Sequence, residues 1–346
     1  MAYTTIDNPG SFFNTVLYTG NASGQSITGV GFQPDWLWIK SRSAAYQHSL
    51  RDAIRGSTKT LRSNGTNAEQ TQSDSVTSFD SDGFTLGADS SSFVNENSAT
   101  YVSWNWKAGG AASSNGDGSI ASSVSANTTS GVSIVTYTGT GSSGTIGHGL
   151  GVAPTIVLFI KRSDVSNRYF YTYQIDGSSD ELGLNLTEGK TDRSLTAPTS
   201  SVFYVDNQSE RNASGADQLA YVFAEVKGFS KFGTYIGNGN AAGTFVYTGF
   251  KPAWILLKQS SANGAGWRIH DNKRGISGNP EDETLYASSA NAESTGRDVD
   301  FLSNGFKLRT DSGDGNSSGS TYIYMAFAET PFVANDSGTA VPVVAR

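Results

Sequence analysis

The run "PDWLWIK" (Pro34–Lys40) returns twice in altered form, as "PTIVLFIK" (Pro154–Lys161) and "PAWILLK" (Pro252–Lys258). No other feature constrains the fold of this 346-residue chain as strongly, because a long internal repeat fixes the architecture before any motif is weighed. The surroundings recur as well. Tyr18-Thr19-Gly20, Tyr137-Thr138-Gly139 and Tyr235-Ile236-Gly237 come before the proline strands. "SFDSDGFTLGAD" with Phe84, "SSVFYVDNQSE" with Phe203 and "FLSNGFKLRTD" with Phe306 come after them. Each unit closes on an alternating aromatic strand: "TYVSWNWKAGG", "QLAYVFAEVKG" or "TYIYMAFAET". The unit is about a hundred residues long, the size of a β-sandwich domain.

Period-two alternation broken by Gly, Asn, Asp and Ser, with 40 glycines and 11% aromatic residues, predicts an all-β chain. The expected architecture is three tandem antiparallel β-sandwich domains, jelly-roll or lectin-like, at residues 1–109, 131–230 and 231–332. Residues 110–130, Gly/Ser-rich with only Ile120 and Val124 as large apolar side chains, read as a flexible linker. Residues 333–346 read as an extended C-terminal arm suited to docking on a neighbour. "VKGFSKFGTYIGNG" joins copies two and three without a break, which predicts a rigid pair behind a movable first domain. Copy two has one more residue than the others between its proline and its lysine, which points to a bulge or a shifted register there.

In "DWLWIK", Trp36 and Trp38 share one face and Leu37 and Ile39 the other. A strand apolar on both faces belongs at the centre of a layered structure. Bulk recurs between copies while the indole does not, so a core explains the pattern better than a sugar-stacking platform. The predicted core is Trp36, Trp38, Trp104, Trp106, Phe159, Tyr221, Phe223, Trp254 and Phe327.

Chemistry is sparse. His48 and His270 sit in segments read as equivalent, with Asp52 and Asp271 nearby, a pattern open to a hydrogen-bond cluster or a loop-edge site; His148 lies elsewhere. Asp80, Asp82 and Asp89, and Asp311, Asp314 and Asn316, lack the ligand spacing of a calcium loop. Glu225 and Glu329 match each other, but Ala108 takes that place in copy one, and no acid pair recurs. Neither a metal, a cofactor nor an enzymatic activity is expected. A net charge of −7 without a basic cluster argues against nucleic acid, and no apolar run reaches membrane-spanning length. The absence of cysteine rules out disulfides, and "MAYTTIDNPG" has no signal-peptide pattern, so synthesis in the cytoplasm is expected.

The set "GFQPDWLWIKSRS", "RDAIRGSTKTL", "FDSDGFTLGAD", "IGHGLGVAPTIVLFIKRS", "FAEVKGFSKFGTYIGNG" and "TYIYMAFAETPF" resembles a repeat domain of uncharacterised function common in virion structural proteins of marine tailed bacteriophages. The resemblance runs from about Phe12 to Phe332, with copy two departing most between Ser163 and Asp192. It implies a structural protein of the virion surface, as tail fibre, tail or head-decoration component, and carries no catalytic residue. Other virion proteins are the implied partners, with a homo-oligomer, such as a trimer, among the arrangements. The alternative is a receptor-binding adhesin for host-surface glycan, using Tyr46, His48, Trp267 and His270 on loops near 43–47 and 261–267. A polysaccharide depolymerase is the third class, disfavoured by the missing acid pair.

Overall fold

The computed structural model describes residues 3–91, 93–275, 278–311, 313–336 and 339–342. It is nearly all β, and the two α-helices among these residues, Ser209–Asn212 and Gly313–Asn316, are single turns. One strand order occurs three times. In copy one the opening strand Phe13–Thr19 lies beside the closing strand Thr100–Trp106, then the proline strand Trp36–Ser41, then Ser49–Asp52. Copy two orders Val132–Thr138, Asp217–Phe223, Ile156–Lys161 and Arg168–Thr172 likewise; copy three orders Ser230–Ile236, Thr321–Pro331, Phe250–Gln259 and Arg268–Asp271. A smaller sheet accompanies each: Gln25–Ile27 with Gly83–Leu86 and Val76–Asp80, Gly144–Gly147 with Val202–Val205, and Phe245–Tyr247 with Gly305–Leu308 and Val299–Leu302.

The two apolar faces of the proline strand meet different neighbours. Leu37 and Ile39 pack on Ile27, Phe84 and Leu86 of their own smaller sheet, and Val157 and Phe159 pack on Ile146 and Phe203. The opposite faces of all three large sheets share one core, in which Trp36, Trp38, Trp104 and Trp106 meet Leu158, Tyr221, Phe223, Trp254, Met325 and Phe327. Trp36 stacks on Tyr221 at 4.5 Å, Trp106 meets Trp254 edge-on at 5.4 Å, and Phe223 meets Phe327 edge-on at 6.3 Å. Each contact joins a different pair of copies and stabilises it by about 0.5–1.5 kcal/mol beyond area burial. All nine residues named for the core are at most 2% exposed; eight line the shared core and Phe159 the second copy's own layer.

Several expectations need correcting. The first copy is not a movable body behind a tether, because detaching it would put four tryptophans into water. The stretch 110–130 is not a flexible linker: Ser113–Asn115 and Ser122–Asn127 extend the second large sheet beside Val132–Thr138. Its two large apolar residues, Ile120 and Val124, are buried in the second copy's outer core. An edge strand covered on one face needs only such spaced anchors, since the ladder supplies the other bonds. The register slip lies in copy three, at Lys251–Pro252–Trp254, while Ile156–Lys161 pairs without a shift. Pairing therefore aligns Lys40 with Ile160 and Lys258, and Arg42 with Arg162 and Ser260. The expected extended arm is a hairpin, Val333–Asp336 against Thr339–Pro342; residues 343–346 lie outside the described residues.

Candidate functional site

Residues with chemistry concentrate where the copies meet. Asp52 is fully buried and accepts a hydrogen bond from the Tyr221 hydroxyl of copy two at 2.8 Å while pairing with Arg55 at 2.5 Å. Arg55 reaches Glu69 at 3.1 Å, and Arg162 of copy two grips the same carboxylate at 2.9 Å. The third and first copies repeat this. Asp271 accepts from Trp104 Nε1 at 2.8 Å and pairs with Arg274 at 2.6 Å; Arg274 and Arg42 hold Glu293 at 2.7 and 2.8 Å. Burial alone would lower the pKa of Arg55, but Asp52, Tyr221 and Glu69 outweigh it and raise it, keeping the guanidinium charged.

The remaining joint, between copies two and three, replaces every member of the latch. Strand register puts Thr172 where the others have aspartate and Met325 where they have Tyr221 or Trp104. Ile175 stands in the arginine place, three residues on, and Ser260 in that of Arg42 and Arg162. Lys190 replaces the glutamate, as equivalent backbone bonds show: Glu69 N–H to Arg162 O, Glu293 N–H to Arg42 O and Lys190 N–H to Ser260 O. An incomplete buried ion network costs more than none, so joint replacement is the form expected.

A second clasp closes the ring. His48, Arg168 and Trp267 each lie four residues before the Asp52, Thr172 or Asp271 position, and each donates to carbonyls of the adjoining copy. His48 Nε2 lies 3.1 Å from both Tyr286 O and Ser289 O, with its Nδ1 accepting from Trp38 Nε1 at 2.8 Å. Arg168 reaches Arg62 O and Asn67 O, and Trp267 Nε1 reaches Gly183 O at 2.7 Å. Burial pulls the His48 pKa down to about 3, so the ring is neutral with Nε2 as donor.

These facts correct the glycan assignment. His48, Trp267 and His270 are each at most 1% exposed, and of the four residues only Tyr46 is half-buried. Nor are His48 and His270 equivalent: register matches His270 to Arg51 and His48 to Trp267. Among the acids, Asp82 caps Gly29 N–H and Gly31 N–H, and Asp89 caps Val94 N–H and Asn95 N–H. Glu225 pairs with Lys231 and Glu329 with Lys251. Asp176, Asp180 and Asp192 lie close enough to hold a cation, and Lys190 Nζ already sits among them. A cleft of about 500 Å³ beside Asp35, Lys107 and Asn127 has no aromatic lining. Asp35 Oδ2 accepts from Ala108 N–H there, and burial raises the pKa of its carboxyl.

One surface stands apart. Phe245, Tyr247 and Ile236 of copy three are 44%, 56% and 63% exposed. Their counterparts by register are Ser26, Thr28 and Thr19 in copy one, and Thr145, Gly147 and Thr138 in copy two. This contrast is legible by aligning "QSIT", "TIG" and "FVY", short segments that the proline-strand and closing-strand motifs do not include. The Asp-x-x-Arg-Gly spacing shared by "DAIRG" and "DNKRG" likewise marks the latch.

The protein is thus an all-β scaffold of three large sheets closed on one another, with two buried Asp–Arg–Glu latches and a set of His48, Arg168 and Trp267 clasps at the joints. The chain belongs to the family described as a domain of unknown function (DUF7483), matched over residues 8–331, a span that takes in all three copies. A search among curated proteins gives no match to this sequence.

Proposed function

We propose that this chain is a bacteriophage virion structural protein on the particle surface, a fibre, tail or head-decoration component acting through contacts with other virion proteins. One observation carries the reading. The buried pairs Asp52–Arg55 and Asp271–Arg274 are engaged at joints between the copies, whereas three of the six large exposed apolar side chains among the described residues, Phe245, Tyr247 and Ile236, lie together on copy three. Contiguous exposed apolar surface is characteristic of protein contact sites. The resemblance of the repeated motifs to marine phage virion domains points the same way.

Within each copy the first strand pairs with the last and the second with the next to last, which we read as a jelly-roll-like sandwich. The cyclic contact of three copies lets one chain build an arrangement that a homotrimer would otherwise supply. The glycan-binding alternative keeps only Tyr46 of its four residues and would have to recruit Phe245 and Tyr247. Mass spectrometry of purified particles, followed by locating the chain in a particle density map, tests the proposal. The expected result is this chain on the outer surface; absence from purified particles would sink the reading. A glycan array separates the alternative, which requires binding that Tyr46→Ala removes.

A further inference from the structure

Three equivalent edges of the smaller sheets have three different fates. In copy two the strand Gly144–Gly147 pairs with Val202–Val205 on one side, and on the other it receives a segment of the chain's own insertion. Ile120 forms a parallel bridge with Ile146, Ile120 N–H donates to Thr145 O at 3.0 Å, and Ser119 exchanges bonds with Thr145. Gly118 fits because a Cβ there would lie 2.3 Å from Thr145 O. In copy one the edge strand Gln25–Ile27 has no backbone partner on its outer side among the described residues, and its Ser26 and the following Thr28 are both exposed. Short polar edges of this kind discourage pairing with other chains.

The third edge has neither protection. Phe245–Tyr247 pairs with Gly305–Leu308 through Val246, so by strand alternation the N–H and C=O groups of Phe245 and Tyr247 point outward. Among the described residues these groups have no backbone partner. The same two residues expose the aromatic side chains that replace serine, threonine and glycine in the other copies. Unpaired backbone beside apolar side chains is the arrangement on which strand addition operates, the backbone supplying affinity and the side chains specificity.

Resting on the contact-protein reading above, we propose that the outer edge of Phe245–Tyr247 receives an extended segment of a partner protein. The segment adds a strand where copy two adds its own residues 118–120, and it carries apolar side chains on the face shared with Phe245 and Tyr247. The internal insertion is the argument for this occupant. The same position in the same fold is filled by an extended polypeptide in one copy and left apolar and open in another.

The test uses the full chain, ¹⁵N-labelled, titrated with the heptapeptide Thr-Val-Thr-Val-Thr-Val-Thr and with a version N-methylated at each valine. The expected result is saturable amide shifts at Phe245 and Tyr247 with the first peptide and none with the second. The double variant Phe245→Ser, Tyr247→Thr, which copies the polar edge of copy one, should bind roughly tenfold more weakly. Equal binding of both peptides, shifts confined elsewhere, or no shift at millimolar peptide would overturn the proposal. Shifts at these amides that grow with protein concentration alone would assign the edge to a second copy of this chain and overturn it too. Silent amides in a chain found on particles would remove this proposal and leave the virion reading standing. Absence from particles with a responsive edge would do the reverse.

Discussion

Asp52 and Thr172 hold the same place in two copies and meet opposite surroundings. Asp52 lies in a buried network with Arg55 and Tyr221, while Thr172 belongs to a joint built with Ile175 and Met325. Removing one member of a buried pair strands the other charge, at a cost of about 3–5 kcal/mol, whereas replacing all members by well-packed groups is often neutral. Asp52→Thr alone should therefore destabilise by about that amount. The triple variant Asp52→Thr, Arg55→Ile, Tyr221→Met, which copies the joint between copies two and three, should recover most of it. Urea denaturation midpoints decide the matter. A single variant as stable as the wild type would show that the network contributes little.

At the scale of elements, the strands Ser113–Asn115 and Ser122–Asn127 show how little apolar content a strand needs when a sheet edge is waiting for it. Ile120 is 8% exposed and anchors the insertion against Ile146. Ile120→Ala should lower stability by about 2–5 kcal/mol through lost burial and the cavity left behind. A tether would give no change, so thermal unfolding of this variant distinguishes a working strand from a linker. Glycine has an element-level role here as well, because Gly109 runs so close to the inserted strand that a Cβ would lie 2.4 Å from Ala126 O.

At the scale of the molecule, three sheets bury their aromatic faces on one another, so no copy has a complete core alone. The chain should unfold in one calorimetric transition with calorimetric and van't Hoff enthalpies in agreement, the signature of a single cooperative unit. Separate transitions for separate copies would contradict the shared core. A fragment of residues 1–109 should aggregate for the same reason, exposing Trp36, Trp38, Trp104 and Trp106.

Triplication, the apolar strands of each copy and the buried indoles were legible in the sequence, because period-two alternation and recurrence are local properties of the chain. Trp36 and Leu37 declare opposite faces wherever the strand is placed. What covers each face is a different matter. The closing of three sheets into one body depends on which surfaces meet, so Asp52 finds Tyr221 across 169 positions and Trp104 finds Asp271 across 167. The likeness of His48 and His270 misled because spacing along a chain does not fix register; backbone pairing does, and it aligns His48 with Arg168 and Trp267. Sequence determined the module and its apolar faces, since side-chain chemistry and periodicity suffice for that. Only tertiary structure decided that the modules form a ring, that a serine-rich stretch is a strand, and that one edge has no backbone partner among the described residues, since each depends on long-range contacts that composition does not encode.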